Sequence, residues 1–108
     1  IQTLLEFCKI HKKIPVFVFG QMNELGQYEK SAHEEIGLII KNSEIKNLLC
    51  FGPATQYTIK TAGYGTYFDD KQKLIIAIRK YLSPKYIVLI KASRGWKMEE
   101  VVEKVTQQ

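Results

Sequence analysis

The chain has 108 residues, of which 45% are apolar and 11% aromatic, enough for one core-forming domain spanning residues 1–108 and too apolar for a disordered tail. Its formal charge of +5 comes from Lys and Arg mixed with Asp and Glu without a dense basic cluster, so no nucleic-acid partner is expected, although a mild positive field favours anionic ligands. No apolar run approaches the roughly 20 residues of a bilayer span and no charged-apolar-small leader is present, so no membrane partner and a cytoplasmic setting are expected.

Residues 3–12 put Leu4, Leu5 and Cys8 on one helical face and lead into His11, Lys12 and Lys13, cations that suit a helix C-terminus. Residues 14–19 are apolar, β-branched and aromatic, with Pro15 at the start and Gly20 as the stop, which predicts a buried strand. Over residues 31–42, Ala32, Ile36, Ile39 and Ile40 recur at helical spacing, and Ser31 with Glu34 has the spacing of a capping box. His33 falls in the first turn of that helix, where a surface or locally hydrogen-bonded imidazole is expected.

Residues 46–51 repeat the strand pattern and stop at Gly52, followed by Pro53 and a short helix through Ala62, with Gly63 and Gly65 marking its exit. Cys8 and Cys50 sit at core-facing positions and are expected to be buried thiols. Residues 66–68 form a weak third strand, after which Asp69 or Asp70 caps a helix carrying Leu74, Ala77, Ile78, Tyr81 and Leu82. Residues 86–90 are the clearest buried strand, and Met98, Val101, Val102 and Val105 predict a last helix.

Strands that alternate with helices in this way predict an α/β fold: a Rossmann-like three-layer sandwich with a mostly parallel sheet and helices on both faces. Such sheets bind ligands in the loops beyond the carboxyl ends of their strands, which here are residues 20–28, 52–53, 69–70 and 91–97. The chain opens on Ile1 instead of Met, so it reads as a piece of something longer.

The loop over residues 91–97 contains Lys91, Arg94 and Lys97, the hydroxyl of Ser93 and the permissive Gly95. Backbone N–H groups at a helix start, joined by Ser93 and Arg94, would receive a phosphate or carboxylate. The plainer alternative makes Ser93 a helix cap beside solvated cations, with Trp96 covering the helix start. In the loop over residues 20–26, Asn23 and Glu24 are the polar groups that could meet a ligand; Glu24 would take a cation or an amine, or simply face water.

Several chemistries are excluded. Only His11 and His33 occur, with no Cys or carboxylate at ligand spacing, so no metal site is expected. No nucleophile motif is present, Lys60-Thr61 lacks the glycine loop of a P-loop, and Gly63-Tyr64-Gly65 lacks a dinucleotide fingerprint. The chain alone is therefore expected to carry no catalytic residue and no tight cofactor site.

The ordered set Phe19-Gly20-Gln21-Met22-Asn23-Glu24-Leu25-Gly26, His33-x-x-Ile36-Gly37, Phe68-x-Asp70-Lys71, Lys91-Ala92-Ser93-Arg94-Gly95 and Met98-Glu99-Glu100-Val101-Val102 resembles the Mur ligase family. The likeness is to the C-terminal domain of its UDP-N-acetylmuramoyl-tripeptide:D-alanyl-D-alanine ligases, and it runs from about Pro15 to Val105. The pattern usually has aspartate where this chain has Gln21, and glycine where it has Ala92.

The resemblance implies a parent with an N-terminal domain for the UDP-sugar substrate, a central P-loop ATPase and this domain as a closing lid, working in peptidoglycan synthesis. It implies that ATP, with Mg2+, phosphorylates the tripeptide carboxylate and that the D-alanyl-D-alanine amine attacks the acyl phosphate. Lys91, Ser93, Arg94, Gly95, Asn23, Glu24 and His33 are the binding candidates. The alternative functions are a stand-alone nucleotide- or anion-binding module without catalysis, and an interaction domain without a ligand.

Overall fold

A computed structural model describes residues 2–93. The elements run α1 (Gln2–His11), β1 (Ile14–Gly20), a 3-10 turn (Gly26–Tyr28), α2 (Glu29–Lys41), β2 (Asn47–Phe51), α3 (Thr55–Ala62), β3 (Thr66–Phe68), α4 (Lys71–Arg79) and β4 (Tyr86–Lys91). The strands form one sheet in the order β3-β2-β1-β4, with every pairing among them parallel. In its register, Val18 lies opposite Leu49 on one side and Ile90 on the other.

Because side chains alternate across a strand, β1 feeds two cores at once. Val16 and Val18 join Leu49 and Phe51 against Leu74, Ile75 and Ile78 of α4. On the opposite face Phe17 and Phe19 join Leu48 and Cys50 against Ile40 of α2 and Ala62 of α3, with Leu5 of α1 packed alongside. The three-layer α/β sandwich expected from the alternation is thus present, and its described strands are all parallel.

Local chemistry sets the boundaries. Asp70 is the cap of α4, its Oδ1 accepting the Gln72 N–H at 2.7 Å. Gly63 ends α3 in the left-handed conformation, with φ at +87°. Gly37 lets α2 lie on α3, since a Cβ there would sit 2.5 Å from the Thr58 carbonyl oxygen. Both cysteines are free and buried, and burial pushes the Cys50 thiol up to about 12.

Three expectations need correction. The helix predicted from Ser31 begins at Glu29, because the 3-10 turn winds directly into it; Ser31 Oγ donates to the Tyr28 carbonyl and no side chain caps the helix. The α4 helix stops at Arg79, and Tyr81 and Leu82 belong to a tighter turn whose N–H groups reach back three residues to Ile78 and Arg79. Strand β4 is half-buried, whereas β1 is buried almost throughout, because β4 ends the sheet and pairs only with β1 among the described residues. The predicted last helix over residues 98–105 lies outside the described residues.

Candidate functional site

At the carboxyl edge of the sheet, the three residues after β1 are each tied to a different part of the fold. Gln21 donates its backbone N–H to the Phe51 carbonyl at the end of β2 (2.9 Å). Its side-chain Oε1 accepts the Ala54 N–H at 2.7 Å, and its Nε2 donates to Glu29 Oε1 at 3.3 Å. Gly52 makes room for this residue: its φ is +105°, and a Cβ there would come within 2.6 Å of Gln21 Cβ.

Met22 donates its N–H to His33 Nε2 at 3.1 Å, and Asn23 donates its N–H to Ser93 Oγ at 2.8 Å. Ser93 returns a long backbone contact to the Gln21 carbonyl at 3.5 Å, so the loops after β1 and β4 are joined from both sides. Having accepted one bond, the Ser93 hydroxyl still has a proton to give. Glu24 follows, exposed and held at a φ of +62°, a conformation that is costly for a residue with a Cβ and that concentrates at functional sites. Lys91, the last residue of β4, is exposed beside the same edge.

The structure therefore gathers Asn23, Glu24, Lys91 and Ser93 at one end of the sheet, which is where an α/β sheet presents ligand loops. Arg94 and Gly95 lie outside the described residues, as do Trp96 and Lys97. Of the two positions expected of His33, the structure shows the locally hydrogen-bonded one and not the surface one: Nδ1 meets the Glu29 carbonyl one helical turn back, Nε2 accepts the Met22 N–H, and the residue is 0% exposed. Its ring faces inward because Phe19 packs against it at 5.7 Å between centroids. Among the described residues its hydrogen bond toward the site is the one from Met22.

Gln21 and Glu29 were not among the candidates, although they fix the loop. The sequence signal for Gln21 was its place directly after a strand-ending glycine, opposite the second such glycine, Gly52. No group of three His, Cys, Asp or Glu side chains that could hold a metal ion occurs among the described residues, and no helix there is long and apolar enough to cross a membrane.

No family model matches the chain. Its similarity is to UDP-N-acetylmuramoyl-tripeptide--D-alanyl-D-alanine ligases: it is 31% identical to that of Buchnera aphidicola from Acyrthosiphon pisum over 95% of this chain and 24% of the relative. It is 33% identical to the Escherichia coli K12 protein over 81% of this chain and 20% of the relative, and 30% identical to the Bacillus subtilis 168 protein over 82% and 21%.

The chain belongs to the Mur ligase family, as a C-terminal domain. A crystal structure of MurF from Acinetobacter baumannii shares the fold at a TM-score of 0.78 and 19% identity, covering 99% of this chain and 25% of that one. The chain thus spans between a fifth and a quarter of the length of these relatives. In this Mur ligase domain three of the five segments that carried the resemblance fall at the strand ends where such sheets meet ligands, the His33 to Gly37 segment lies within α2, and the Met98 to Val102 segment is outside the described residues. Gln21 to Gly26 leave β1, Asp70 and Lys71 open α4, and Lys91 to Ser93 leave β4.

Proposed function

We propose that this domain is the closing C-terminal domain of an ATP-dependent amide-forming ligase that adds D-alanyl-D-alanine to UDP-N-acetylmuramoyl-tripeptide in peptidoglycan synthesis, and that it is inactive alone. The observation that carries the reading is the junction of Asn23 with Ser93, which makes one rigid polar edge from two strand-end loops. The named reaction is supported by what the relatives are called.

The chemistry divides between this domain and the rest of the ligase. Activation of the tripeptide carboxylate consumes ATP with Mg2+, which belong to the central ATPase domain, the partner this domain would close upon. Neither ATP nor Mg2+ is expected to bind tightly to this domain alone, since the sequence has no phosphate-cradling Gly-x-x-x-x-Gly-Lys loop. Dependence on ATP supports a cytoplasmic setting.

What this domain adds is positioning and the exclusion of water. Ser93 and Arg94 would donate to phosphate or carboxylate oxygens, with Lys91 as a point charge and the Gly95 backbone allowing close approach. Glu24, on its strained turn, would meet the dipeptide amine, and Asn23 holds Ser93 in place.

Replacing Arg94→Ala or Ser93→Ala in the full-length ligase is expected to lower the ligation rate by about 10²-fold, the scale for one directed donor, with the fold kept in both and the Tm lowered only in Ser93→Ala, which leaves the Asn23 N–H without its acceptor. Wild-type turnover in both variants would sink the closing role.

A further inference from the structure

His33 is fully buried on α2, yet it is not a mere filler of the core. Its two ring nitrogens meet partners of opposite and fixed kind. The Glu29 carbonyl oxygen, 2.6 Å from Nδ1, can only accept, so Nδ1 carries the proton. The Met22 N–H, 3.1 Å from Nε2, can only donate, so Nε2 presents a lone pair. The imidazole is thereby neutral and held in one tautomer, while the Phe19 ring closes off the adjoining space.

From these contacts we infer that His33 is a positioning residue of the strand-end site, acting on ligation through the Met22 peptide. Met22 immediately precedes Asn23, whose N–H is the group that fixes the Ser93 hydroxyl. Orienting the first peptide orients the second, so the imidazole links α2 to the loop that leaves β4. The backbone carbonyl of His33 is also used: it accepts the Thr58 hydroxyl at 2.8 Å, which pins the same turn of α2 onto α3. The imidazole therefore rests on two packed helices, a rigid base from which to hold a loop. This inference rests on the proposed closing role of the domain.

The tautomer is testable in the unaltered chain. Long-range nitrogen–proton NMR is expected to show protonated Nδ1 and bare Nε2; protonated Nε2 in the folded chain would overturn the proposal. His33→Leu removes the acceptor, so the Met22 amide should lose protection from hydrogen exchange by about tenfold, the weight of one hydrogen bond, while the sheet amides of β1 and β2 keep theirs. His33→Gln, whose amide both accepts and donates, should restore that protection and should restore ligation in the full-length enzyme. Unchanged exchange at Met22 in His33→Leu would refute the tether itself. Lost protection with wild-type ligation would refute the link to catalysis, and if Arg94→Ala also ligated normally the closing role would fall with it. Should His33→Leu fail to fold, the tautomer and the glutamine variant still decide the matter.

Discussion

Gln21 stands where the family pattern usually has aspartate, and its amide does two things that a carboxylate cannot do together. Oε1 accepts from Ala54, as an aspartate oxygen also could, but Nε2 donates to Glu29. Gln21→Asp would shorten the side chain by one methylene, remove the donor and bring a second carboxylate toward Glu29. A loss of about 1 kcal/mol is expected, read from the urea midpoint, because the pair is partly solvated. In a Glu29→Gln background the penalty should shrink, since the new amide can donate to the introduced carboxylate; equal penalties in both backgrounds would show that the two residues act independently. This pairing was not legible in the sequence, because residues 21 and 29 meet only once the 3-10 turn has folded the loop back. Nor was the burial of His33. Periodicity placed it on a helix, but a fully buried acceptor for a backbone N–H needs a partner eleven residues away.

At the level of elements, local patterns served best where one signal was sufficient. Strands β1 and β2 each end at a glycine after an unbroken apolar run, and Asp70 caps α4 as its side-chain chemistry predicts. The capping-box reading of Ser31 and Glu34 failed because a preceding 3-10 turn had already supplied the first helical turn. Strand β4 looked the most buried by composition, but burial depends on neighbours, and the end of a sheet has fewer of them. The contact of α2 with α3 was invisible for the same reason, although one residue, Gly37, allows its close approach. Gly37→Ala would force a methyl against the Thr58 carbonyl and the Thr61 side chain, where the nearest approaches are 2.5 and 2.8 Å. Overpacking of this kind costs about 1–3 kcal/mol, so a fall in Tm of roughly 4 to 20 °C is expected by calorimetry. A variant melting with the wild type would mean that the helices separate freely.

For the molecule as a whole, the α/β class and the parallel sheet followed from alternation, because long-range topology in such folds is tightly constrained by crossover handedness and burial. The relatives are about four times as long as this chain. Two cores share the central strand β1, so neither face of the sheet can melt without exposing the other. The chain alone is therefore expected to unfold in one cooperative urea transition, with circular dichroism and tyrosine fluorescence coincident. It is also expected to yield no ligated product from ATP, tripeptide and D-alanyl-D-alanine. Product formation by the chain alone would overturn the division of labour proposed for it.

The run of Gln21, Met22 and Asn23 carries a further consequence. Three adjacent residues hold three separate anchors, Gln21 through its side chain at Ala54 and Met22 and Asn23 through their N–H groups at His33 and Ser93, with no spare residue between them. Surface loops ordinarily accept insertions and deletions with little harm. Here, adding or removing a single residue would slide every anchor out of phase together, so this loop can vary in its letters but not in its length.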